Sequence, residues 1–273
     1  MTAPDVQAGF AATMVDEWVR GGVTDAVVAP GSRSTPLIVA LAGHPGVRVH
    51  VVLDERAGAF FALGVGAARG RPAVVVTTSG TAAAELHPAM VEAHQAGVPL
   101  LAVTADRPGE LHHVGAPQTI EQEGLFGGAL RWSASPGVAD EATAGTWRSL
   151  AARAVVETTA NPVGPGPVHL NLAFREPLLG SASFVPAGRE NGEPWHRVAS
   201  SRSAPPGNVV AALAARAGGR GLIVAGAGTG GPVEDLADAL GWPVLADPPS
   251  GARVPGRWTV AAADALLRVP GFG

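Results

Sequence analysis

The sequence predicts an α/β fold: a doubly wound, mainly parallel six-stranded sheet followed by a second, Rossmann-like unit. Three observations carry this. From Asp25 onward, short apolar runs alternate with helix-like stretches. The runs are nearly continuous rather than alternating, the pattern of strands covered on both faces, and right-handed crossovers then make a doubly wound sheet the economical topology. Finally, the periodicity stops after Arg175, Glu176 and Pro177, in a stretch rich in Ser, Pro and Gly, and resumes about thirty residues later.

Taken in order, MTAPDVQAGFAATMVDEWVR spaces Val6, Phe10 and Met14 as one face of an amphipathic helix, and lacks the basic start and apolar run of a signal peptide. DAVVAP is a strand followed by the helix GSRSTPLIVALAG. VHVVLDE reads as a buried strand leading into RAGAFFALGVGAARG, where Gly58, Ala62 and Gly66 allow close helix packing, either inside the domain or across a dimer. PAVVVTTS leads into GTAAAELHPAMVEAHQAG, read as one helix, and PLLAVTAD into a longer polar connection. RWSAS, the helix TAGTWRSLAARAVVETT and GPVHLNLA complete six strands. The expected division is a first domain over 1–180, a linker over 181–206, and the start of a Rossmann-like domain over 207–273. In that last part the helix NVVAALAARA, strand GLIVAGAG, helix PVEDLADALG, strand WPVLADP and helix AAADALLRV follow one another. Two strands are few for a unit of this class, so the second domain is expected to be incomplete.

Composition narrows the chemistry. With 47% hydrophobic residues and a formal net charge of −4, the chain reads as globular, without the clustered basic excess that nucleic acid or a membrane surface demands. There is no cysteine, and all 19 basic residues are arginine. Thiol catalysis, a Schiff-base lysine and a Walker-type phosphate loop are excluded. The apolar runs are too short to span a bilayer, and a cytoplasmic enzyme is expected.

In open α/β sheets ligands gather at the carboxyl ends of the strands. Those ends carry Gly31, Ser32, Arg33 and Ser34; Asp54, Glu55 and Arg56; Ser79, Gly80 and Thr81; and Asp106 with Arg107. Two arginines on one edge suit a ligand bearing carboxylate or phosphate. The same residues have plainer readings: Asp54 as a helix cap with Glu55 in the first turn, and Ser79 or Thr81 as caps. TTSGT lacks the glycine two places before Ser79 that a nucleophile elbow requires. The eight histidines show no metal-ligand spacing, and no metal is assigned to them. Gly226, Gly228 and Gly231 form GxGxxG between a strand and a helix, with Asp247 at the end of the next strand. That pattern admits an NAD site, or a glycine-rich turn that binds nothing.

APGSRSTPL (29–37), LDERAGAFFALG (53–64), TSGTAAAELHPAMVEA (78–93), TADRPGEL (104–111), GAPQTIEQ (115–122) and FREPL (174–178), in this order and spacing, resemble one family. It is the 2-succinyl-5-enolpyruvyl-6-hydroxy-3-cyclohexene-1-carboxylate synthases, thiamine-diphosphate transferases of menaquinone (vitamin K2) biosynthesis. GWPVLADPPSGAR is similar to that family's middle domain, which has a Rossmann-like shape without a dinucleotide site. The resemblance implies decarboxylation of 2-oxoglutarate on thiamine diphosphate and addition of the succinic-semialdehyde carbanion to isochorismate, in a homo-oligomer (dimer or tetramer). It implies a first domain that binds the pyrimidine, with Glu55 as the acid that activates the cofactor and Pro30 and Thr81 beside it. Ser32, Arg33, Arg107 and Gln118 match the isochorismate side. Pro117 departs from the family, which usually has asparagine there. The family's diphosphate and Mg2+ site, a Gly-Asp-Gly run, belongs to a third domain, and no Gly-Asp dipeptide occurs in this sequence. The chain is therefore expected to be the N-terminal portion of such an enzyme and inactive alone. The alternatives are another thiamine-diphosphate decarboxylase or synthase, a non-catalytic binding module, or an NAD-binding protein.

Overall fold

The computed structural model describes residues 1–199, 204–229 and 231–271. The chain divides into two compact units, Met1–Ala199 and Ser200–Gly273. In the first, the elements run α1 (Ala3–Arg20), β1 (Asp25–Val28), α2 (Thr35–Gly43), β2 (Arg48–Val51), α3 (Glu55–Arg69), β3 (Ala73–Thr77), α4 (Thr81–Ala84), α5 (His87–Ala96), β4 (Leu100–Asp106), β5 (Trp132–Val138), α6 (Ala144–Thr159) and β6 (Pro167–Ala173). The six strands form one sheet in the order β2-β1-β3-β4-β6-β5, and every pairing is parallel.

Successive strand residues point to opposite faces, so an apolar run feeds two cores at once. Ala26, Val28, Val74, Val76, Leu101 and Val103 join Phe10, Met14 and Trp18 of α1 and Trp147 of α6 on one face. Val27, Ala73, Val75, Leu100 and Ala102 join Ala59 and Ala62 of α3 and Met90 of α5 on the other. Gly58 and Gly66 of α3 are buried too, and a side chain at Gly66 would run into the Pro99 carbonyl. The small residues of α3 thus serve the core.

Two local readings change. The stretch after β3 is two helices rather than one, because Pro88 has no N–H to bond the Ala84 carbonyl; the chain breaks at Glu85–Leu86 and restarts with proline in the first turn of α5. The strand expected to be buried at VHVVLDE is an edge strand. It pairs only with β1, and Val51 and Leu53 are 63% and 82% exposed. An apolar run carries no mark of whether its strand is central or at the rim. Residues 181–199, within the expected linker, are laid along α1 and α6. The Ser181 N–H donates to Asp5 (2.8 Å), Arg148 Nε to the Pro186 carbonyl (2.8 Å) and Arg20 to the Arg189 carbonyl (2.9 Å). Buried Glu17 accepts from both Arg148 (2.7 Å) and the Trp195 N–H. Composition shows only that this segment lacks the periodicity of a longer helix or strand. Residues 200–203 of the same stretch lie outside the described residues.

The second unit contains α7 (Gly207–Arg216), β7 (Ile223–Ala225), α8 (Val233–Leu240), β8 (Val244–Ala246) and α9 (Ala263–Leu267). β7 and β8 are parallel, over a small core of Ala225, Ala237 and Val244. Among the described residues no helix is long and apolar enough to cross a membrane.

Candidate functional site

β1 and β3 are neighbours whose crossovers run to opposite sides, from β1 to β2 and from β3 to β4, and the loops after β1 and β3 flank the resulting crevice. They meet closely. Gly31 has an extended backbone open to any residue, but a side chain there would collide with Thr78. Gly80 (φ 81°, ψ −140°) needs glycine for its backbone as well as for space, since a Cβ would come 2.8 Å from Gln118 Cγ. The residues flagged at the strand ends therefore lie along one edge of the sheet, running from Glu55 beyond β2, through Pro30–Ser34 and Thr78–Thr81, to Arg107 beyond β4.

At the β3–β4–β6 part of this edge the side chains lock together. The Arg107 guanidinium donates to Ser79 Oγ and, at 2.7 Å, to the Gln118 carbonyl, which Ser79 Oγ also reaches (3.1 Å). Gln118 sits at φ 57° directly after Pro117 and returns its side-chain amide to the Ser79 carbonyl at 3.0 Å. Arg33 is buried, donating to the Phe174 carbonyl (2.9 Å) and pairing with Glu176 (3.2 Å). Burial, then the like charge of Arg33, pull the Arg107 pKa below the ordinary arginine value. Two guanidinium groups held near one another favour a ligand that brings negative charge.

At the β2–α3 part, Asp54 caps α3, accepting the Ala57 N–H at 3.0 Å and pairing with Arg56 at 3.0 Å; its pKa falls to about 2 through these bonds. Arg56 also reaches Glu85 at 3.5 Å, which brings the start of α3 beside the end of α4 and hence beside the turn bearing Thr81. Glu55, the first residue of α3 and half-buried, takes no hydrogen bond or ion pair among the described residues. Pro30, Ser32 and Thr81 are exposed along the same crevice. Arg107 and Gln118 are bonded into one group with Ser79, and Arg33 into a second with Phe174 and Glu176, whereas no described contact joins Ser32 or Pro30 to either. A half-buried carboxylate with unused acceptors at this edge can take a hydrogen-bond donor such as the amino group of an aminopyrimidine.

Several participants escaped the sequence reading. Ser79 stands among the strand-end residues but carries no assigned contact to the substrate. Gln122, His169 and Asn171 carried no assignment, although His169 and Asn171 are polar residues two apart in an otherwise apolar strand, a period-two signal of groups facing the same way. In the second unit, GxGxxG does precede a helix, but the first turn of α8 carries Glu234 and Asp235, which repel the pyrophosphate that a helix N-terminus would otherwise hold.

Residues 9–125 match the family described as thiamine pyrophosphate enzyme, N-terminal TPP binding domain. Similar curated proteins are the 2-succinyl-5-enolpyruvyl-6-hydroxy-3-cyclohexene-1-carboxylate synthases of Haloarcula marismortui (46% identical, covering 93% of this chain and 46% of the relative), Thermobifida fusca (46%, covering 96% and 48%) and Geobacillus kaustophilus (44%, covering 97% and 48%). The chain is a homologue of these synthases. It spans about half the length of the curated relatives it matches. The six-stranded parallel sheet is consistent with a thiamine-diphosphate-binding domain, and Glu55, Ser79, Thr81, Arg107 and Gln118 all fall inside the matched segment.

Proposed function

We propose that this chain supplies the pyrimidine-facing half of a thiamine-diphosphate-dependent transferase that joins decarboxylated 2-oxoglutarate to isochorismate in menaquinone biosynthesis. The observation that carries the reading is Glu55, a strand-end carboxylate left without a partner while its neighbours Asp54 and Arg56 are paired. Thiamine diphosphate, when bound, supplies the electron sink for decarboxylating a 2-oxo acid. Glu55 would hold the ring nitrogen of the aminopyrimidine and the proton shared with it, with Pro30 and Thr81 against the ring. Arg33 and Arg107 would hold isochorismate carboxylates by charge-assisted hydrogen bonds, with Ser32 and Gln118 as further polar contacts. Mg2+ would be held by the part of the relatives that this chain does not cover, so the chain alone is read as inactive.

A cytoplasmic location and a homo-oligomer, dimer or tetramer, go with this reading. The exposed Val51, Leu53, Phe60 and Phe61 around Glu55 support the second, as an apolar rim of the kind that assembly covers. Completed with the remaining half of the relatives' length, the protein should consume 2-oxoglutarate only when thiamine diphosphate and isochorismate are both present. Turnover indifferent to either one would refute the proposal, and turnover with a different acceptor would redirect it to another thiamine-diphosphate synthase.

A further inference from the structure

Beneath the turn from Ser79 to Thr81 runs a chain of buried polar groups, and two backbone atoms fix every proton in it. The Gly80 N–H can only donate, so the Gln122 atom facing it at 2.9 Å is the side-chain oxygen. The Ala105 carbonyl can only accept, so the Gln122 atom 3.2 Å from it is the nitrogen, whose second hydrogen goes to Asn171 Oδ1 at 2.7 Å. Asn171 is thereby turned with its own nitrogen toward Asp106, 2.8 Å from Oδ2, while its oxygen also takes the Thr104 hydroxyl at 2.9 Å. Thr104 must then accept from His169 Nε2 at 2.7 Å, which selects one tautomer; burial lowers the His169 pKa to about 4, so the ring stays neutral. The remaining oxygen of Asp106 accepts the Arg107 N–H at 2.7 Å.

We propose that Gln122 is a positioning residue. Fully buried, it fixes the Gly80 turn directly and the Arg107 backbone through Asn171 and Asp106, and so sets where Ser79, Gln118 and the Arg107 guanidinium stand for a carboxylate-bearing substrate. The substrate clause rests on the reading of Arg107 given above. An amide is required at 122 because the site asks for an acceptor on one atom and two donated hydrogens on the other. Glutamate of the same shape presents its second oxygen to two acceptors, the Ala105 carbonyl and Asn171 Oδ1, unless it holds a proton.

The test uses the full 273-residue chain, isotope-labelled, as wild type, Gln122→Glu and Gln122→Met. In wild type a through-hydrogen-bond coupling should join the Gly80 amide to the Gln122 side-chain carbonyl; its absence overturns the assignment with no variant needed. In Gln122→Glu the Gly80 and Arg107 amide signals should titrate together and approach their wild-type positions as pH falls. If they follow wild type at every pH, the proposal is wrong. In Gln122→Met the Gly80 amide should exchange at least about tenfold faster while the Val75 amide keeps its protection. Equal loss at both sites would make Gln122 a general support of the fold and overturn a local role. Isochorismate should shift the Arg107 and Gly80 signals of wild type and bind Gln122→Met about tenfold more weakly or worse. If it moves no Arg107 signal, or if Arg107→Ala binds it as wild type does, the substrate reading fails while the coupling result stands. If Arg107→Ala abolishes binding and Gln122→Met preserves it, the positioning role alone fails.

Discussion

At the β3–β4–β6 end of the sheet edge, Ser79, Arg107, Gln118 and Gln122 are each bonded to another member of the group or to the backbone that carries it. At the β2–α3 end the charges beside Glu55 are paired but Glu55 is not, and the apolar residues around it face outward. The first arrangement is over-determined, which holds donors still for a ligand of fixed shape. The second leaves one carboxylate's hydrogen-bonding capacity unspent, and folding stability gives no reason for it. The contrast teaches that the two ends answer to different demands: position at one, reactivity at the other.

Glu55→Gln gives the largest effect that separates them. In the protein completed to its relatives' length, turnover should fall about 10²–10⁴-fold, the range for losing a positioned acid–base group. Denaturant unfolding of the chain should move by less than about 0.5 kcal/mol, since no described bond is lost. A large stability change with turnover retained would make Glu55 a structural residue and collapse the comparison.

The converse substitution is Asn171→Ala. It strands one Gln122 amide hydrogen, the Thr104 hydroxyl and one oxygen of Asp106, and unmet buried groups of this kind cost about 1–3 kcal/mol each. Chemical denaturation should show roughly 2–4 kcal/mol lost, less than additive because the groups share one network. A loss below about 1 kcal/mol would mean that water or rearrangement repairs the network, and that this end is less rigid than its bonding suggests.

Much of this was legible in the sequence. Six strands, their helices and the edge on which Arg33, Glu55 and Arg107 gather follow from apolar runs and from the polar residues that end them. What was not legible depends on partners distant along the chain. Whether VHVV is a rim or a centre is decided by which strands pair with it. Gln122 acquires meaning only when Gly80 and Asn171, 42 and 49 residues away, come within bonding distance. Glu17 and Arg148 turn a Ser/Pro/Gly-rich stretch into a docked segment from opposite ends of the first unit. Glu55 itself was recognised through resemblance, because a first-turn glutamate that caps and one that awaits a ligand are identical in sequence.

Acid separates the two ends further. The His169 pKa of about 4 lies below the ordinary histidine value, so from about pH 6.5 down to 4 the unfolded chain takes up a proton that the folded chain refuses. Stability should therefore decline across that window, by up to about 3 kcal/mol, with no contribution from this group above it. His169→Gln, which keeps a donor for Thr104, should flatten the decline; an unchanged slope would place the acid sensitivity elsewhere.

The smallest effect concerns Asp54, next to Glu55 yet assigned to the helix rather than to the chemistry. Its pKa of about 2 is depressed by Arg56 first and then by the Ala57 N–H, so the ionised cap should keep its contribution well below the ordinary carboxylate range and lose it only as pH falls through 2. Asp54→Ala should lower the melting temperature by a few degrees at most, and the gap from wild type at pH 7 should persist at pH 3. Its turnover should fall far less than that of Glu55→Gln, because fraying the first turn of α3 displaces the acid without removing it. Were Asp54→Ala as inactive as Glu55→Gln, the division between a capping and a reacting carboxylate would fail, and both would belong to one acidic pair at the end of β2.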